Sequence, residues 1–196
     1  MASTLVRDVD KKGRYNAYNG SSGELEQAVK IDPADPGVWW RLCTSYETVK
    51  KWDLALGACQ KEVELNTDEN SLADLSGVYM HRHEYFQAAR VLELGESPPN
   101  GYPILIQALL ASGQYEKALP VAQRLVELNE HGADELPSGL LPDVLRELAF
   151  TYQQLGQQKK AQETFERLQK LDQTLHYHSC EMKPDSLTDI PVVRCS

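Results

Sequence analysis

The sequence predicts an all-helical protein built from repeated helix pairs. Three observations carry that prediction. A pattern of small and aromatic residues returns along the chain, apolar residues within each copy fall at i, i+3, i+4 and i+7, and glycines punctuate the turns.

The elements are read in chain order. Residues 1–20 contain Gly13 and Gly20 and no apolar stripe, so they are expected to form a poorly ordered N-terminal arm. Ser21-x-x-Glu24 has the form of a capping box. The stretch from Gly23 to Pro33 then reads as the second helix of a partial repeat, ending in Asp32-Pro33. Its Ala28 and Pro33 lie 34 residues before Glu62 and Thr67.

The first full pair carries Trp39-x-x-Leu42-Cys43-x-x-Tyr46, then Trp52 and Ala55-x-x-x-Cys59. The second carries Leu72-x-x-Leu75-Ser76-x-x-Tyr79, then Tyr85 and Ala88-x-x-x-Leu92. The third has Leu105 and Leu109, then Gly113, Tyr115 and Ala118-x-x-x-Ala122. The fourth has Leu145-x-x-Leu148-Ala149-x-x-Tyr152, then Gly156 and Ala161-x-x-x-Phe165. The alanines are 33, 30 and 43 residues apart. The longer last step is assigned to a loop insertion at about 130–138, rich in turn formers such as Gly132, Asp134 and Pro137. Small residues at Cys43, Ser76, Ala149 and the four alanines let paired helices approach closely.

After residue 172 the pattern stops. Residues 173–196 are expected to be a mostly irregular tail, with Ile190-Pro-Val-Val as an extended strip that can pack back on the helices.

The recurring pattern resembles the tetratricopeptide-repeat (TPR) family over residues 21–172. The resemblance implies a right-handed superhelical solenoid of antiparallel helix pairs: about four pairs plus the partial N-terminal repeat. Individual copies are degenerate. Cys59 replaces an aromatic residue, Glu62 replaces a small one, and the third full repeat lacks the Trp and Tyr. The resemblance also implies that first helices line a concave groove that takes a partner peptide or helix. Transferred residue by residue, the groove candidates are Trp40, Arg41, Thr44, Glu47, Asn70, Asp74, Gln107, Arg146, Glu147, Phe150 and Gln154. Trp40 stands out, because Trp39 takes the core position and a neighbouring exposed aromatic is a good binding anchor. Co-chaperone members hold a terminal carboxylate with Lys, Asn and Arg. Here the matching positions hold Trp40, Thr44 and Asp74, and an aspartate repels a carboxylate.

The remaining chemistry is sparse. His83-Glu84 is followed by Tyr85-Phe86-Gln87, so the zincin motif fails at its last ligand. His176, His178, Cys180 and Cys195 are ligand types that zinc accepts, but an incidental polar tail is the plainer reading. No catalytic residue, cofactor or metal is assigned. Four cysteines without a Cys-x-x-Cys spacing suggest free thiols in a reducing compartment, with Cys43 and Cys59 buried.

Composition bounds the partners. The chain has 20 Lys and Arg against 29 Asp and Glu, a formal charge of −9, which disfavours nucleic acid and favours basic or neutral partners. No run of signal-peptide or membrane-spanning length is present in the sequence, so membrane insertion is not expected and a cytoplasmic, or nuclear, location is. The expected function is a non-catalytic interaction module, an adaptor or subunit of an assembly. The alternatives are a co-chaperone-type adaptor without the carboxylate clamp, a subunit that self-associates through uncapped solenoid ends, and a metal-dependent regulator using the His/Cys tail.

Overall fold

The computed structural model describes residues 22–95, 102–130, 140–171, 180–184 and 191–195. The N-terminal arm, Ser21 of the expected cap, nearly all of the insertion, and His176 and His178 lie outside these residues. The chain forms two compact units, Met1–Thr67 and Asp68–Ser196.

The first unit holds α1 (Ser22–Ile31), α2 (Pro36–Thr48) and α3 (Trp52–Leu65). Helix α1 is the second helix of the partial repeat and packs on α2. Leu25 and Val29 bury its apolar face. The Ser22 and Ser45 hydroxyls lie 2.9 Å apart, and the Tyr46 hydroxyl donates to Glu26 Oε1 at 2.8 Å. Burial first, and then this carboxylate, push the Tyr46 hydroxyl pKa up to about 12. The Asp-Pro ending has a use beyond stopping α1: the Pro33 carbonyl accepts from Trp39 Nε1 at 2.9 Å. Asp35 then caps α2, its side chain accepting from the Gly37 amide at 2.8 Å, with Pro36 in the first turn.

Helices α2 and α3 are joined by a disulfide between Cys43 and Cys59, with Cα atoms 5.3 Å apart. This corrects the expectation of free thiols at these two positions. The close approach that small residues permit also brings the two Cα atoms within disulfide range. Both cysteines are buried, as expected.

The second unit holds α4 (Glu69–His81), α5 (Tyr85–Leu92), α6 (Tyr102–Ala111), α7 (Tyr115–Glu130), α8 (Leu140–Gln154) and α9 (Gln158–Leu171). Asp68 and Ser71 form a reciprocal capping box at the start of α4, at 2.8 and 3.1 Å. Consecutive helices pack on one another, and α6 also packs directly on α4 and α8. The first helices of the three pairs therefore form a layer of their own. In the α4/α5 pair the small positions meet: Ser76 Oγ donates to the Ala88 carbonyl at 3.1 Å, inside the core. Ile106, Leu109, Leu125, Leu145, Phe165 and Leu168 are almost fully buried between the helices.

The tail departs from expectation. Within it, β1 (Cys180–Pro184) and β2 (Pro191–Cys195) form an antiparallel hairpin, with Cys180 opposite Cys195 and Met182 opposite Val193. A two-stranded sheet thus stands within the tail expected to be mostly irregular, and β2 takes up most of the strip expected to pack back in extended form. Strand β2 packs on α8 and α6, and Val193 joins the core of the unit.

Candidate functional site

The first helices are positioned by their turns. In all four hairpins one residue takes a left-handed conformation five positions before the small alanine of the next helix. These are Lys50, His83, Gly113 and Gly156, with φ of 56°, 60°, 75° and 71°. In each, the following amide bonds back five residues: Lys51 to Tyr46, Glu84 to Tyr79, Gln114 to Leu109 and Gln157 to Tyr152, at 2.8–2.9 Å. This closure sets the register of both helices, and hence which residues of the first helix face away from its partner.

In the first unit, α2 carries four candidates. Trp40 is 44% exposed. Arg41 and Glu47 are half-buried, and Thr44 is exposed. The Thr44 hydroxyl donates to the Trp40 carbonyl at 3.0 Å, so its donor is already engaged within the helix.

In the second unit, Asn70 and Asp74 lie on α4, exposed and half-buried, and Gln154 is exposed at the end of α8. The structure brings together three candidates: Gln107 of α6 with Arg146 and Glu147 of α8. They line a pocket of about 260 Å³. Asp143, missed in the sequence, completes the polar wall and accepts from Arg146 Nη1 at 2.5 Å. Pro103 and Leu140 supply apolar wall, and Val192, Val193 and Arg194 of β2 close the remaining side. The extended Ile190-Pro-Val-Val strip was the one signal for that side.

One candidate needs correction. Phe150 is buried, edge-on to Tyr115 with ring centroids 6.1 Å apart, so it belongs to the core rather than to a groove surface. Glu147 is also buried. Burial, and then the Asp143 charge, push its carboxyl pKa up to about 8, although Arg146 and the Gln107 amide pull the other way. Burial therefore favours the protonated Glu147 carboxyl near neutral pH. It can present an O–H donor to whatever enters the pocket.

Among the described residues, no three His, Cys, Asp or Glu side chains come together as a metal site. No described helix is long and apolar enough to cross a membrane.

Residues 145–175, spanning most of α8 and α9, match the family model described as tetratricopeptide repeat. Comparison with curated proteins returns no match. Among solved structures, YrrB, described as a TPR protein with an unusual peptide-binding site, aligns with a TM-score of 0.61 at 20% identity, over 78% of this chain and 77% of its own. A MamA structure aligns with a TM-score of 0.64 at 15% identity, over 78% of this chain and 86% of that one. A second, MamA AMB-1, gives 0.62 at 22% identity, over 78% and 88%. The chain carries a tetratricopeptide repeat at residues 145–175, and its fold is that of tetratricopeptide-repeat proteins.

Proposed function

We propose that this chain is a non-catalytic interaction module, an adaptor or a subunit of an assembly, that binds a partner segment on its first-helix faces. One observation carries the reading. The alanines and leucines of the repeat are consumed in the core, whereas Trp40 stays 44% exposed on a first helix, flanked by the partly exposed Arg41 and Glu47. A rigid aromatic with charged neighbours is the composition of a binding anchor and its rim. The fold itself serves protein–protein interaction, and the peptide site named for YrrB is an instance on the same architecture. The chain's formal charge of −9 favours a basic or neutral segment.

Location follows the cysteines more than the charge. A buried disulfide between Cys43 and Cys59 sits poorly with a reducing cytosol, because such bonds persist mainly in oxidising compartments. Thiol labelling of Cys43 in unfolded protein taken directly from cells decides between the two locations.

The test of the binding reading is affinity purification with mass spectrometry, comparing wild type with Trp40→Ala and Arg146→Glu. The expected outcome is loss of partners in either variant, with helical content retained. Unchanged partners in both variants would move the site off the first helices.

A further inference from the structure

Strand β2 lies on α6 and α8, the first helices of two successive pairs. Its backbone pairs with β1, which also packs on α8, through the register Lys183 to Val192 and Met182 to Val193. Val193 is its anchor, 6% exposed and packed into the core of the unit. Val192 is half-buried and Arg194 is exposed, and both line the pocket shared with Gln107, Asp143 and Glu147. An extended segment in which a buried apolar residue is followed by a basic one, both lining a pocket that also holds two carboxyl groups, has the features of a peptide ligand laid on a groove. Each helix pair, by contrast, is held by many large buried side chains.

We propose that β2 is a displaceable occupant of the α6/α8 face, and that what replaces it is an extended segment of a partner protein in which an apolar residue is followed by a basic one. This rests on the interaction-module reading and names the chemistry of one of its sites. Val193 marks the apolar position. Arg194 marks the basic one and lines the same pocket as Asp143 and Glu147 of α8. The partner's basic residue meets a wall in which Arg146 is already engaged by Asp143, and a chain of net charge −9 draws such a segment in. Because the resident strand is tethered, it acts at a high effective concentration, and a partner binds with its intrinsic affinity divided by the fraction of open face.

The experiment uses the full chain and a fluorescent peptide of residues 189–196 with serine at position 195. Binding is measured by anisotropy for wild type, Val193→Asp and Arg194→Glu. Val193→Asp puts a charge in the core position and unseats the strand. Arg194→Glu reverses an exposed charge and leaves the core intact. Both variants are expected to bind the peptide about tenfold tighter than wild type, as the resident releases the face. A peptide with glutamate at position 194 is expected to lose about tenfold on either variant. Equal binding by wild type and Arg194→Glu overturns the proposal. So does loss of helicity in Val193→Asp, which would make the strand an indispensable part of the core. If wild type and both variants capture the same partners in equal amounts and none takes the peptide, this inference fails and the interaction-module reading stands. Loss of partners in Trp40→Ala bears on that parent reading alone.

Discussion

Glu147 is where one side chain sets the pH behaviour of the second unit. Its carboxyl is buried on α8, and its pKa rises from 4.5 to about 8 in the folded protein. Below about 4.5 both folded and unfolded chains hold the proton, and the group contributes no pH dependence. Between 4.5 and 8 the unfolded chain releases the proton and the folded chain keeps it, so stability falls as pH rises through that window. Above 8 both are ionised and the loss levels off, at a full cost on the order of 5 kcal/mol. Glu147→Gln keeps the shape and removes the titration. Denaturant midpoints of the full chain at pH 5 and pH 8.5 should differ more for wild type than for the variant. A variant with the same pH slope as wild type would place the titration elsewhere. Nothing in the sequence marked this residue as buried. Position 147 follows Arg146 on a helix face read as groove surface, and the packing of α6 and the hairpin against α8 encloses it.

At the scale of elements, the four hairpin turns share one geometry with unequal residues in it. Gly113 and Gly156 adopt the left-handed conformation without a side-chain penalty, whereas Lys50 and His83 carry a Cβ there. Lys50→Gly is expected to stabilise the first unit by about 1 kcal/mol, and Gly156→Ala to destabilise the second by about 1–2 kcal/mol. An added Cβ at Gly156 meets nothing within 4 Å, so the cost there is conformational alone. Thermal melts of both variants check this, and a stabilised Gly156→Ala would show that the turn relaxes out of the left-handed region. These turns also show what was legible in the sequence. Apolar stripes and small residues recurring in register placed all four pairs, because helix packing reads local spacing. Gly113 and Gly156 marked two turns. Lys50 and His83 did not mark theirs, because the closing amide bonds impose the conformation on whatever residue stands there. The β-hairpin was hidden for a different reason. Its pairing and its seat on α6 and α8 are non-local, so a short segment broken by Pro184 and Pro191 reads as loop until its partners are known.

For the molecule as a whole, the two units are stabilised by different means, and this predicts a difference in how they open. The second unit has an extensive apolar core running from Met80 to Leu168 and Val193. Among its described residues the first has three helices and a smaller set of buried residues, but it holds the Cys43–Cys59 bond, which closes a loop of sequence separation 16. A cross-link of that span removes chain entropy from the unfolded state and contributes on the order of 3 kcal/mol. Small cores are the ones for which such a staple matters most. Because both sulfurs are buried, reductant reaches them only when α2 and α3 separate. The comparison is therefore oxidised protein against protein reduced in denaturant and refolded under reducing conditions. Hydrogen exchange followed by mass spectrometry should show amides of α1, α2 and α3 losing protection by about two orders of magnitude, the equivalent of that energy. Amides of α6 through α9 should change little. Equal loss in both units would show that they open as one cooperative body, and no loss in either would show that the helix packing of the first unit suffices without the bond.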